Sequence, residues 1–302
     1  MSAAVLMAVG PGDREVERAD DVLESVLHHE PGIDAVLLVD DAPDERDLGA
    51  ALGRGRPAVA VTPNPRAGEG LGLWGGLAAG MLHGYGWLQR EVGPDLVVKL
   101  DTDALVIAPF VDRVGAVLED PSVGMAGTFD RHCGGAPRDV DRWDFRVRRR
   151  RFPVRPFRED HQASGRLRMR HTLWGDAATI RRRIATARRQ GYGYGEHCLG
   201  GAYAVPGRFL DRVAERGWFG DWPAWVPLDI GEDVCIGVYV GAVGLSCRNA
   251  NQRGEPFGVE YRDLPLPPPE LRDAGYAVVH SIKDQDGWTE DEIRAHFARQ
   301  RA

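Results

Sequence analysis

Leu96-Val97-Val98-Lys99-Leu100-Asp101-Thr102-Asp103 decides the fold. Four apolar residues around one lysine read as a buried strand, and that strand runs out into two carboxylates one residue apart. Ligands of open α/β sheets sit at the carboxyl ends of the strands, which is where Asp101 and Asp103 fall. Asp-x-Asp supplies oxygen donors to a hard divalent cation, Mg2+ or Mn2+, of the kind shared with substrate phosphates. In isolation the same tripeptide also fits a solvated turn. Its place directly after a strand gives it weight.

Upstream, apolar runs alternate with amphipathic stretches, the pattern of βαβ units and a mainly parallel sheet. The first predicted strand is Ala3–Val9. Gly10-Pro11-Gly12-Asp13 breaks it, and Val16, Val22, Leu23, Val26 and Leu27 recur at helical spacing until Pro31-Gly32. Ala35-Val36-Leu37-Leu38-Val39 is the second strand and ends at Asp40-Asp41. A third strand is predicted over 58–61, and a glycine-rich stretch to Gly76 leads into a helix ending near Arg90. Downstream, the spacing predicts a helix over 177–189, a loop at Gly191-Tyr192-Gly193-Tyr194-Gly195 and a strand over 202–205. Later strands leave a weaker pattern. The fold class is α/β: a Rossmann-like mixed sheet flanked by helices, in a single domain.

A chain of 302 residues buries roughly three quarters of its unfolded surface, enough for a large core. No apolar run approaches the ~20 residues that span a bilayer, so no transmembrane anchor is expected. The first strand lacks a basic lead, which disfavours a signal peptide and favours a cytoplasmic enzyme. Cys133, Cys198, Cys235 and Cys247 are too far apart for a C-x-x-C site and read as reduced thiols. A net charge of -7 disfavours nucleic acid as a partner.

The charge is nevertheless uneven: residues 142–189 hold sixteen arginines against four acids, Asp144, Glu159, Asp160 and Asp176. The stretch at about 142–170, with Pro153 and Pro156, reads as an Arg-rich insertion into the fold, where guanidinium groups can grip a phosphate or carboxylate. A solvated insertion fits it equally well. Trp143, Phe145, Phe152 and Phe157 interleave its charges. Lys99 and Lys283 are the only lysines beside 36 arginines.

Gly231-Glu232-Asp233-Val234 and Val278-Val279-His280-Ser281-Ile282-Lys283 follow Asp101-Thr102-Asp103 in order. With Val39-Asp40-Asp41 near the start, this succession resembles the inverting GT-A glycosyltransferases, which use nucleotide-sugar donors. Gly200-Gly201-Ala202-Tyr203 and Glu232-Asp233-Val234-Cys235-Ile236-Gly237 are similar to blocks of the fringe and core galactosyltransferase group, and the whole also resembles family-2-like transferases. That group generally carries three consecutive acids at the metal motif, whereas Thr102 intervenes here.

The resemblance implies a GT-A fold with a nucleotide-sugar-binding half over 1–110 and an acceptor-binding, catalytic half over 111–302. It implies Mn2+ or Mg2+ held by Asp101, Asp103 and His280, with Asp103 the more direct ligand and Asp101 reaching ribose or metal through water. It also implies a UDP-sugar donor read by Asp40 and Asp41, with Lys283 on its phosphates and Gly200-Gly201 close to its sugar. Asp233 becomes the base that takes the acceptor proton, and Glu232 positions the acceptor or the adjoining helix. The acceptor is a small molecule or a glycan, in a bacterial setting.

Other readings of the same residues stand beside these. Glu232-Asp233 fits a helix N-terminus, where acids meet the dipole. Gly200-Gly201 fits a tight turn, with Tyr203 in the next strand. Trp218, Phe219, Trp222 and Trp225 can stack on an acceptor sugar or plug the core. A sugar-phosphate nucleotidyltransferase would also use strand-end acids, but Gly10-Pro11-Gly12-Asp13-Arg14 is a poor triphosphate loop. The third alternative is a non-catalytic sugar- or anion-binding module.

Overall fold

A computed structural model describes residues 1–44, 46–70, 74–140, 174–228, 230–285 and 287–301. The Arg-rich stretch 142–170 and its aromatics lie outside the described residues.

The first hundred residues build the expected units. Strand β1 (Ala3–Val9) leads to α1 (Asp13–His29), β2 (Ala35–Asp40), β3 (Val59–Pro63), α2 (Trp74–Glu91) and β4 (Leu96–Leu100). Strands β3, β2, β1 and β4 lie side by side in that order, all parallel. Near-continuous Val, Leu and Ala in these strands follow from burial on both faces. Helix α1 begins after Gly12 with Asp13 and Glu15 in its first turn, where acids complement the helix dipole.

After β4 the chain leaves the main sheet. Strand β5 (Ala104–Val106) pairs instead with β10 (Val278–His280), which in turn pairs with β9 (Phe257–Val259) in a three-stranded sheet. The chain then runs through α3 (Val111–Leu118) to β6 (Val123–Gly127). Helix α4 (Trp174–Arg189) precedes β7 (Ala202–Pro206), which lies antiparallel to both β4 and β6. Helices α5 (Gly207–Ala214), α6 (Trp222–Trp225) and α7 (Glu232–Ala242) follow, then β8 (Ser246–Asn249) at the sheet edge and α8 (Glu290–Arg301) at the end. The result is a seven-stranded mixed sheet, ordered β3-β2-β1-β4-β7-β6-β8.

Alternation along the strands divides the core. Leu6, Leu37, Val39, Val97 and Val205 face α2, α4 and α7, meeting Met81, Tyr85, Ile184 and Val238. Val5, Met7, Val36, Val98 and Leu100 face α1, α3 and the small sheet, meeting Val22, Val26, Val114 and Phe257. A third cluster, Leu105, Val279, Ile282, Ile293 and Phe297, seats α8 against the small sheet. Glycine recurs in α2 despite a helix cost of roughly 0.5–1 kcal/mol each, because the helix lies close to the sheet. A Cβ on Gly84 would come within 2.6 Å of Leu6.

The aromatic segment joins this interior. Trp225 is fully buried and donates its indole N–H to the Tyr239 hydroxyl at 3.0 Å, while the Arg183 guanidinium stacks 4.1 Å from the Trp218 ring. No helix among the described residues is long and apolar enough to cross a membrane. All four cysteines are free.

Candidate functional site

The switch between sheets builds the Asp-x-Asp corner. Because β4 ends in one sheet and β5 starts in the other, Asp101-Thr102-Asp103 forms a short corner at the carboxyl edge of the parallel strands. The antiparallel register then sets His280 opposite Ala104, beside Asp103. Asp101, Asp103 and His280 present ligand atoms within 4.8 Å of one another, a spacing that one ion can bridge. Residues 177 positions apart meet because β10 is inserted between β5 and β9.

His280 is oriented for this. Its Nδ1 faces the Glu260 carbonyl at 2.8 Å, and its Nε2 points at Asp103 Oδ1, 3.3 Å away. With the proton on Nδ1, Nε2 is left as a ligand atom, the arrangement that usually supports a metal-bound imidazole. Asp103 also accepts from the Ser281 hydroxyl at 3.0 Å and pairs with the Lys283 ammonium at 2.7 Å. Two carboxylate oxygens and an imidazole nitrogen suit a divalent cation such as Mn2+ or Mg2+.

The site's charges are strongly coupled. Burial would raise the Asp103 carboxyl, but the hydrogen bond and charge of His280, with Lys283, outweigh it and hold the group far below the usual carboxylate range. Burial would lower His280, and Asp103 reverses that and raises it. Asp101 keeps a third of its side chain exposed, yet burial pushes its carboxyl up to about 6 against the pull of Lys99.

Two cavities meet at this corner. One, of about 260 Å3, is lined by Ala8, Gly10, Arg18, Asp41 and the metal motif, at the ends of β1, β2 and β4. The other, of about 580 Å3, runs from Asp101 and Asp103 to His197, Gly200, Glu232, Asp233 and Tyr261. Asp101, Asp103, Leu77 and Lys283 line both.

Of the early aspartates, Asp41 lines the smaller cavity, where Arg66 grips it with donors at 2.9 and 2.6 Å and Asn64 donates at 2.6 Å. Asp40 is turned to Arg46, 2.7 Å away, and lines neither cavity. Gly200 and Gly201 lie between the acids and the histidine. The Gly201 carbonyl accepts the Asp101 N–H at 2.9 Å, and a Cβ there would come within 2.3 Å of the His280 ring. The bareness of Gly201 serves the close approach of β7 and β10, and that of Gly200 admits the Glu232 carboxylate, 2.7 Å from where its Cβ would stand.

Glu232 and Asp233 open α7, as acids at a helix start do. Asp233 Oδ1 accepts the Val234 N–H at 2.7 Å, and Oδ2 lies 3.5 Å from His197 Nε2. Burial raises the carboxyls of both Glu232 and Asp233. His197 is held neutral: burial first, then the adjacent Arg138 guanidinium, lower it to about 3. Its Nδ1 faces the Gly195 carbonyl at 2.6 Å and its Nε2 meets Arg138 at 2.7 Å.

Several participants left little trace in the sequence. Glu260 braces His132 at 2.6 Å and the Cys133 N–H at 2.7 Å while its carbonyl orients His280. Trp74 (46% exposed) and Tyr261 (66%) are two of the three large exposed apolar side chains among the described residues, and both line the larger cavity. None of Trp218, Phe219, Trp222 and Trp225, which could stack on a sugar or plug the core, lines it. Tyr203, in β7, is fully buried and does not line the cavity. Lys99 had a signal: one cation in an apolar strand two residues before Asp101, in a chain with two lysines.

No family model matches the chain, and no curated protein matches it. Among solved structures, the bifunctional glycosyltransferase WbbM matches all of this chain over 50% of its own length, at TM-score 0.48 and 12% identity. The galactosyltransferase LgtC, in complex with donor and acceptor sugar analogues, matches 98% of this chain and 95% of its own at TM-score 0.44 and 13% identity. A mannosyltransferase from Pyrobaculum calidifontis, in complex with GDP-Man and Mn2+, matches 70% of this chain and 46% of its own at TM-score 0.37 and 16% identity. The chain spans about half the length of WbbM and of the mannosyltransferase, and its structural neighbours here are glycosyltransferases.

Proposed function

We propose that the chain is a metal-dependent glycosyltransferase that moves a sugar from a UDP-sugar to an acceptor hydroxyl with inversion at the anomeric carbon. The observation that carries this reading is the meeting of two cavities at one Asp-Asp-His group. The smaller lies where an α/β sheet binds nucleotides, and the larger brings a carboxylate base to the far side of the same corner.

Asp101, Asp103 and His280 would hold Mn2+ or Mg2+, which when bound neutralises the charge developing on the departing diphosphate. Lys283, paired with Asp103, adds an ammonium on that side, and Asp41, which lines the smaller cavity, would face the nucleoside. The acceptor enters the larger cavity. Asp233 takes the proton from its hydroxyl as that oxygen attacks the anomeric carbon, and the sugar–phosphate bond breaks on the opposite face. One Asp233 oxygen is tied to the helix amide, which leaves the other for this proton. Neutral His197, its Nε2 taken by Arg138, does not compete as a donor.

Calorimetry with UDP in the presence and absence of Mn2+ tests the reading: tight binding is expected only with the metal. Binding that ignores the metal, or no binding at all, would sink it. A hydrolysis screen across UDP, GDP and dTDP sugars identifies the donor.

A further inference from the structure

Lys99 is fully buried in the middle of the sheet, a position where an unpaired ammonium would be severely penalised. Its Nζ pairs with Asp101 Oδ1, lies 3.0 Å from Glu232 Oε1 and donates to the Gly200 carbonyl. The Tyr203 ring, its cross-strand neighbour, lies 5.8 Å away. Each charged partner belongs to a different half of the site: Asp101 to the cation corner, Glu232 to the start of α7 beside Asp233. Alternation along β4 makes this possible, since Lys99 and Val97 share the face that α7 covers.

Stability gives little reason for such an arrangement. Apolar side chains of similar volume usually hold a core as well as a buried ion network does. In a chain with 36 arginines, a compact point charge at this position is also informative, because a planar guanidinium would need a wider slot. We propose that Lys99 is a positioning residue: it ties the cation carboxylate Asp101 to Glu232, fixing the orientation of Asp101 and the spacing between cation corner and base. This rests on the metal site of the function proposed above. With one Asp101 oxygen held by the ammonium, the carboxylate offers the other to the ion.

The test is Mn2+ affinity, read by electron paramagnetic resonance of free Mn2+ with UDP present, alongside thermal melting. Lys99→Met alone strands the buried Glu232 charge and lowers Tm; Lys99→Met with Glu232→Gln removes both charges and restores Tm toward that of Glu232→Gln. Mn2+ affinity is nevertheless expected to be 10–100-fold weaker in the double variant than in Glu232→Gln alone, the range for loss of an outer-shell partner. Equal affinity, or tighter binding through relief of charge repulsion, would reduce Lys99 to a buried counter-charge and overturn the inference. Wild-type protein that binds no Mn2+ would instead overturn the metal site, an outcome distinct from a Lys99 effect.

Discussion

At the residue scale, the proposed chemistry rests on the carboxylates of Asp101, Asp103 and Asp233 and the imidazole of His280. Asp103 is held ionised by His280 and Lys283, so a cation finds a formed carboxylate there. Asp103→Ala is expected to lower Mn2+-dependent UDP affinity by more than the roughly 10–100-fold seen when outer-shell partners are lost. Affinity should also climb with pH. His280 is raised above 6.5 and Asp101 stands at about 6, and each must shed its proton to coordinate, so Mn2+ binding strengthens as pH rises through about 6 and beyond. A pH-independent Kd between pH 5 and 8 would contradict the ligand set. Asp233→Asn should keep UDP and Mn2+ affinity yet lose transfer by about 10²–10⁴-fold, the usual contribution of a general base. Single-turnover kinetics separate these effects.

At the element scale, the site depends on how closely β7, β10 and α1 approach the corner. Gly201→Ala places a Cβ against the His280 ring, so the ring must swing and Mn2+ affinity should fall although no ligand is removed. Beneath the corner, α1 and α8 clamp Thr102. Glu15 accepts its hydroxyl, and Arg294 donates to its carbonyl at 3.0 Å while pairing with Glu290 at 2.8 Å and Asp21 at 2.7 Å. Glu290 also receives Arg18 at 2.8 Å. Burial would raise the Glu290 carboxyl, but hydrogen bonds from Arg18 and Arg294 hold it at about 2, against an ordinary 4.5. A depressed folded-state pKa stabilises the protein fully above 4.5, and that contribution is lost as pH falls through about 2. Glu290→Gln should cost about 1–2 kcal/mol at neutral pH, since Arg18 keeps Glu15 and Arg294 keeps Asp21, and should flatten the loss of stability below pH 5. Urea midpoints measured across that range check both.

At the scale of the whole molecule, two cavities meet at one corner, and the proposed function gives the smaller to the donor and the larger to the acceptor. Trp74 and Tyr261 line only the larger. Replacing either with alanine should raise the acceptor KM by about tenfold, roughly 1.4 kcal/mol of lost ring contact, and leave UDP–Mn2+ affinity in place. A rise in donor KM instead would place the acceptor elsewhere.

The sequence by itself determined the parallel half of the sheet, because strands buried on both faces must be apolar throughout and amphipathic helices must join them. It also located Asp101-Thr102-Asp103, since a polar run after a buried strand has to emerge at a sheet edge. The short strands β8, β9 and β10 were not legible: three or four residues hold too little alternation to stand out. The motif resemblance names His280 for the corner, and the tertiary structure decided how it gets there and which other distant residues join it. His280 reaches Asp103 through the register of β5 with β10, Lys99 reaches Glu232 through the face α7 covers, and Asp40 turns to Arg46 although its neighbour Asp41 faces the cavity. Those partnerships are set by strand pairing and packing between segments far apart in the chain, and local periodicity carries no record of them.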